Sequence, residues 1–333
     1  MSGSWSLEVR KLPLKVNWSI SRGSISEKEN IFITFRDDKL EGMGEVAFIT
    51  KGELSLADVE EAFEQFKEII PSTINGLDHL TALLGSLELP SALRFAIESA
   101  YVHYLSQVME STRQRVLGVR EVSKILTSHS VPIMPVEEIG SYLKTNNLTR
   151  FHSLKVKVGK FDDHRVVEKI AELYKGAIRI DGNEAFSEAK EVLSFCEALK
   201  SLPIEFLEQP LAANNHEEAF LLREQTKVML IADESVQSGP IVDDFQKMFH
   251  GVNIKLMKAG GYIKAMNQLR EARALGLKTM LGCMIETSLG ISSAMNIAHG
   301  VDFFDLDGFL FLEKDPFNLI YEENGVLYYS YNL

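Results

Sequence analysis

LKVKVGK, Leu154–Lys160, alternates apolar and cationic side chains. In an extended strand successive side chains project to opposite faces, so Leu154, Val156 and Val158 share one face and Lys155 and Lys157 the other. An ordinary half-buried strand puts such lysines in water. Whether these two face solvent or the inside of a larger structure depends on the strands around them.

That setting is a regular one. From about residue 131 a short apolar run is followed by a helix-period segment, and the pair recurs. The runs are VPIMPV (131–136), SLKVKVG (153–159), AIRIDGN (177–183), IEFLEQP (204–210), VMLIADES (228–235), VNIKLMKAGG (252–261), KTMLGCMIE (278–286) and FFDLDG (303–308). Strands alternating with helices imply parallel strands with helical crossovers. Eight runs in this span fit a closed (β/α)7β TIM-like barrel better than an open sheet, which would want a Gly-rich turn after its first strand. The chain before this region reads differently. LEVRKLPLKV, IFITFRD and GMGEVAF are antiparallel strands. A helical section from about Leu56 to about Val116 follows, opened by a capping Ser55. The expected division is therefore an α+β capping domain over 1–125, joined by the C-terminal segment 315–333, and a barrel over 126–314.

The 333 residues carry 45% hydrophobic and 25% charged side chains, ordinary for a soluble enzyme. A formal net charge of −12 argues against nucleic acid or an anionic membrane as main partner. Cys196 and Cys283, without metal-type spacing, suit a reducing compartment. No apolar leader or membrane-length run is present, so a cytoplasmic location is expected.

In a parallel barrel the C-terminal ends of the strands carry the chemistry. Here nearly every run ends in an ionisable group: Lys155 and Lys157, Asp181, Glu208, Asp233 and Glu234, Lys255 and Lys258, Glu286, Asp305 and Asp307. Asp181, Glu208 and Asp233 fall on three consecutive strands, and neighbouring strands lie about 4.8 Å apart. Carboxylates so crowded repel unless a cation sits among them, and Mg²⁺ with oxygen ligands answers that need. The competing reading is that each acid caps the helix after it. Lys255 lies across the barrel from Lys155 and Lys157. A carboxylate substrate held between opposed amines has a base on each face of its α-carbon, the layout of a 1,1-proton transfer. At about 6 Å and an effective dielectric of about 20, Lys155 repels a second ammonium by about 2.8 kcal/mol, which lowers the Lys157 pKa by roughly two units.

KVKVG, RIDGNEAF, FLEQPL, IADES and NIKLMKAGG, in this order, resemble the enolase superfamily, muconate-lactonizing subgroup. The resemblance implies one Mg²⁺ per subunit on Asp181, Glu208 and Asp233, Lys157 and Lys255 as the two acid/base residues, and Lys155 as an auxiliary cation near the substrate carboxylate. It implies an enediolate intermediate, for which this superfamily is a known example. The His–Asp pair of the mandelate-racemase subgroup has no counterpart at the end of run seven. The DxD of Asp305 and Asp307 resembles the dipeptide epimerases, in which such a pair holds the α-ammonium of the N-terminal residue. The expected substrate is therefore an Ala-Xaa dipeptide of the Ala-Ala or Ala-Glu type, with a homo-oligomer possible. The alternatives within the subgroup are an N-acylamino-acid racemase, an o-succinylbenzoate synthase or a muconate-type cycloisomerase. Outside it stand a Schiff-base lyase using Lys255 and a non-catalytic peptide- or metal-binding protein. In this family a cap loop closes over the site. ISRGSISEKEN (20–30), with Arg22 as a reader of an acidic second residue, and FITKGELS (48–55) are the candidates, although Gly23 takes the arginine position in the nearest register.

Overall fold

The structure is a computed structural model that describes residues 3–20, 23–47, 54–71 and 73–330. Arg22 and most of the 48–55 loop lie outside the described residues. Three antiparallel strands open the chain, β1 (Ser4–Ile20), β2 (Gly23–Arg36) and β3 (Glu41–Ala47), in the order β1-β2-β3. Helices α1 (Leu56–Ile69), α2 (Leu77–Gly85) and α3 (Ser91–Val108) cover one face. The capping box expected at Ser55 is present: Asp58 N donates to Ser55 Oγ (3.2 Å) and Ser55 N to Asp58 Oδ2 (2.8 Å). The alternation in β2 sorts the cap's two sides. Ile31, Ile33 and Phe35 enter the cap's own core, whereas Phe32 packs into the larger core of the barrel.

A short strand, β4 (Lys124–Leu126), leads into the barrel. The barrel strands are β5 (His129–Val131), β6 (Ser153–Lys157), β7 (Ala177–Asp181), β8 (Ile204–Glu208), β9 (Leu230–Ala232), β10 (Gly251–Ile254), β11 (Lys278–Gly282) and β12 (Phe303–Asp305). They pair in parallel in chain order. Ser128 N donates to Phe304 O (3.2 Å) and Ser130 N to Asp307 Oδ2 (2.5 Å), so the first and last strands meet and the sheet comes close to closing on itself. The fold is the expected one. The first strand is not where VPIMPV puts it: it lies at His129–Val131 and ends as the prolines begin. Pro132 and Pro135 lack the N–H that a ladder position requires. After the barrel, β13 (Ile320–Glu323) and β14 (Val326–Tyr329) form a hairpin that pairs with β4 at the junction between cap and barrel.

Inside the barrel the residue two before each mouth position is often apolar. Phe206, Ile231 and Met280 form a small buried cluster beneath Glu208, Asp233 and Gly282. The charged layer therefore rests on apolar side chains, with the buried Arg179 guanidinium packed over the rings of Phe206 (5.2 Å) and Phe303 (5.3 Å).

Two cap carboxylates bind the halves together. Glu45 on β3 is fully buried and accepts from Thr287 N (3.0 Å), Thr287 Oγ1 (2.6 Å) and Gly290 N (3.1 Å) at the start of the helix Ser288–Asn296. Glu98 on α3 accepts from Tyr262 N (2.8 Å) and Ile263 N (3.3 Å) at the start of the helix Tyr262–Ala274. The first N–H groups of a helix have no partner within it and carry the positive end of its dipole, so a buried acid there is well placed. Gly261 makes room: its φ is +129°, and a Cβ there would lie 1.7 Å from Glu98 Oε2.

Burial raises Glu98 from 4.5 to about 7 even though the two backbone donors pull it down. The folded state therefore holds a proton that the unfolded chain releases. Its contribution is fully present below pH 4.5 and is lost as the pH rises to about 7, a change of about 3 kcal/mol. The stability of the wild type relative to Glu98→Gln, from urea unfolding at a series of pH values, is expected to fall by that order across the window and to level off above it.

Candidate active site

The two lysines of LKVKVGK face inward. Leu154 and Val156 are fully buried against the helical layer, and Lys155, 2% exposed, stands inside the barrel. Lys155 Nζ lies 2.6 Å from Asp305 Oδ2, 2.9 Å from Glu208 Oε2 and 3.2 Å from Asp181 Oδ2. Lys157 Nζ donates to Asp181 Oδ2 and Asn183 Oδ1, both at 2.9 Å. The expected repulsion between the two ammoniums is thus answered by Asp181, whose Oδ2 touches both. Burial lowers the Lys155 pKa, but Asp181, Asp305 and Glu208 together hold it well above the usual lysine value. The two cations stand on one strand, and the anion between them comes from the next.

The three acids come together. Asp181 and Glu208 are direct neighbours in the register of β7 and β8, and Asp233 follows β9 at once. All three are buried. Burial pushes each carboxyl up. In Asp181 the pull of Lys155 and Lys157 wins, and in Asp233 that of Lys255 and Lys258, so both stay below the carboxylate range. In Glu208 burial prevails over Lys155, with Asp181 and Asp233 adding to it, and the group rises to about 8. Its Oε1 accepts from Asn253 Nδ2 (2.7 Å), whereas Oε2 makes no hydrogen bond and meets Lys155 only as an ion pair. Gly282 allows the Asn253 contact, since a Cβ there would lie 2.5 Å from Asn253 Oδ1.

Lys255 directly follows β10 and donates to Asp233 Oδ2 (2.8 Å). Burial lowers its pKa, but Asp233 outweighs burial and keeps the ammonium charged. In the barrel order β10 is four strands from β6, so Lys157 and Lys255 rise from opposite walls with Asp181, Glu208 and Asp233 on the strands between. Strand alternation would place Lys258 outside this group. The structure corrects that: Lys258 Nζ lies 2.5 Å from Asp233 Oδ1 and also donates to Asp233 O. The chain turns helical at Leu256–Ala259, and three residues along a helix return to the same side.

Asp305 and Asp307 are both buried but differ in company. Asp305 accepts from Lys155 and from Ser128 Oγ (2.7 Å). Burial raises its pKa, but Lys155 prevails and holds it low. Asp307 accepts from Ser130 N and is raised to about 7 by burial and by Asp305.

Residues 136–316 match the family described as enolase C-terminal domain-like. The chain belongs to that family. Over 324 residues it is 27% identical to the L-Ala-D/L-amino acid epimerase of Flavobacterium johnsoniae, covering 96% of this chain and 94% of that one. Among solved structures, an enolase family member from Agrobacterium tumefaciens with homology to dipeptide epimerases, holding sodium and L-Ala-L-Glu, superposes with a TM-score of 0.85. It has 25% identity and covers 98% of this chain and 97% of that one. A dipeptide epimerase from Enterococcus faecalis, complexed with Mg and L-Leu-L-Tyr, superposes at 0.86 with 23% identity over 99% and 98% of the two chains, a likeness of fold.

As donors, Asp181, Glu208 and Asp233 suit the hard cation of such a family: three buried carboxylates, with one Glu208 oxygen lacking any hydrogen bond. Lysine ammoniums stand between them, and among the described residues no three His, Cys, Asp or Glu side chains lie at the spacing of ligands around one ion.

Gln209 escaped the sequence reading. It is buried beside Glu208 at a positive φ of 31°. Its Oε1 accepts from Asp233 N (3.0 Å) and Ser235 N (3.1 Å), and its Nε2 donates to Leu211 O (2.8 Å). One amide thus ties the tip of β8 to the tip of β9 and fixes where Asp233 begins. The GluGln pair in FLEQPL was visible, but nothing in one strand names the backbone of the next. Gln209→Ala leaves the buried Asp233 N–H and the half-buried Ser235 N–H unmet and is expected to lower stability by about 2–4 kcal/mol in urea unfolding, against about 1 kcal/mol or less for the exposed Gln65→Ala control.

Proposed function

We propose that this protein is an isomerase, a Mg²⁺-dependent dipeptide epimerase that inverts the α-carbon of the C-terminal residue of Ala-Xaa dipeptides. The observation that carries the reading is the opposition of Lys157 and Lys255 across a barrel mouth whose intervening strands end in Asp181, Glu208 and Asp233.

In this reading Asp181, Glu208 and Asp233 hold the cation, and Lys155 stays charged beside the substrate carboxylate. Bound there, Mg²⁺ supplies Lewis-acid stabilisation of the negative charge that builds on the carboxylate oxygens as the α-proton leaves. One lysine removes that proton as a neutral amine, and the other returns a proton to the opposite face. The exchange of roles between the two reverses the configuration. Burial of the site keeps bulk water from reprotonating the carbanion. Asp305 and Asp307 give the α-ammonium of the N-terminal residue an anionic end to the site, at the strand farthest along the sheet from β5 and next to it at the seam.

The N-acylamino-acid racemase, o-succinylbenzoate synthase and cycloisomerase readings need no such anionic end, because their substrates carry no free amine there. The name and near-complete overlap of the Flavobacterium relative favour the epimerase. A Schiff-base lyase built on Lys255 is told apart by experiment: borohydride with substrate would trap it covalently, and EDTA would leave it active.

Dipeptide libraries L-Ala-L-Xaa and D-Ala-L-Xaa, incubated with the protein and Mg²⁺ in D₂O, are expected to take deuterium at the α-carbon of the C-terminal residue, and EDTA is expected to stop it. Absence of incorporation from every dipeptide defeats the proposal. Replacing Asp307 with Asn is expected to cut kcat/KM on free-amine dipeptides at least about tenfold while N-acylated amino acids are little affected. Activity that survives the replacement on both substrate types favours the racemase.

A further inference from the structure

The turn after β10 carries two buried lysines, and both end on Asp233. Lys255 Nζ donates to Asp233 Oδ2 (2.8 Å) and Lys258 Nζ to Asp233 Oδ1 (2.5 Å). Lys258 also donates to the backbone carbonyl of Asp233. The proposed proton transfer uses Lys255 and gives Lys258 no part.

The local backbone explains how both lysines reach one carboxylate. Lys258 N and Ala259 N donate to Lys255 O (3.0 and 2.9 Å), which closes a single helical turn. Residues three apart on such a turn share a side. Gly260, at a φ of +87°, ends the turn in the left-handed region that favours glycine. Met257, buried between the two lysines in sequence, accepts Ala47 N at its Sδ (3.1 Å), so the turn is also held from the cap. Asp233 itself is held at each of its polar atoms. Its N–H goes to Gln209 Oε1 (3.0 Å), its carbonyl accepts from Lys258 and from Val236 N (2.9 Å), and its two carboxylate oxygens take one lysine each. The terminal torsion of an aspartate is broad when nothing fixes it. With Lys258 on Oδ1 and on the carbonyl of the same residue, that torsion is set, and Lys255 is left with Oδ2. Without Lys258 the carboxylate turns freely, and the Lys255 amine gains a second acceptor away from its line to the substrate.

We propose that Lys258 is a positioning residue that acts through Asp233 on Lys255, clamping the carboxylate so that the Lys255 amine stands at one face of the α-carbon. The inference rests on the epimerase reading and deepens it. Lys157 is aimed from the opposite wall, by Asp181 and Asn183. The clamp therefore serves one of the two opposed amines. Loss of Lys258 slows proton abstraction on the Lys255 face and spares it on the Lys157 face. A residue that only maintained the fold, or only the cation, would slow both faces alike.

The test takes the dipeptide that the wild type labels fastest and measures the initial rate of α-deuterium incorporation from D₂O into its L,L and L,D forms separately, at saturating Mg²⁺. The proteins are the wild type, Lys255→Ala, Lys258→Met and Lys258→Gln, with folding followed by circular dichroism. Lys255→Ala identifies the epimer that Lys255 addresses. In Lys258→Met, which keeps the length of the side chain and removes its charge, that epimer is expected to exchange at least about tenfold more slowly, and the other to stay within about twofold of the wild type. Lys258→Gln is expected to follow the same pattern. Equal slowing of both epimers, slowing confined to the other epimer, unchanged rates, or loss of the fold in both variants overturns the inference and leaves the epimerase reading standing. Exchange of neither epimer by the wild type, or of both alike by Lys255→Ala, removes the two-base reading along with it.

Discussion

Lys155 is the interaction on which the rest depends. A fully desolvated ammonium is costly unless carboxylates surround it, and Asp181 and Asp305, crowded beside Glu208, would not stay ionised without it. Each side of this arrangement makes the other affordable. The result is a mouth held at the edge of neutrality, where Glu208 and Asp307 are pushed up to about 8 and about 7 while Asp181 and Asp233 remain low.

The architecture exists to keep that cluster dry and fixed. Phe206, Ile231 and Met280 pack beneath it, with Arg179 over the Phe206 ring. The cap covers it from above and is fastened by Glu45 and Glu98, which meet the exposed N–H groups of two barrel helices. The same cap strands carry Asn30 toward the mouth.

Much of this was legible in the sequence, because period-two alternation names the inward face of a strand. LKVKVGK gave Lys155 and Lys157 an inward direction once the surrounding rhythm implied a barrel. The acids of AIRIDGN, IEFLEQP and VMLIADES fell at strand ends by the same rule. The rule fails where the backbone changes period: Lys258 was turned away by strand spacing and is returned by one helical turn. It fails also at VPIMPV, where apolar composition outweighed the two prolines. Contacts between elements were not legible at all. Gln209 reaching Asp233 N, Asn253 reaching Glu208, and Glu98 reaching Tyr262 N depend on partners that no single segment announces. The ion pair of Lys157 with Asp181 is of the same kind, since Asp181 belongs to the neighbouring strand.

The central claim is that Lys157 and Lys255 address opposite faces of one carbon. It is tested most directly by solvent deuterium exchange in Lys157→Ala and Lys255→Ala, each given the L,L and the L,D dipeptide separately. The account predicts that each variant loses epimerisation but still exchanges the α-proton of one epimer, and that the two variants retain opposite epimers. Exchange of the same epimer by both variants, or full epimerisation by either, contradicts it.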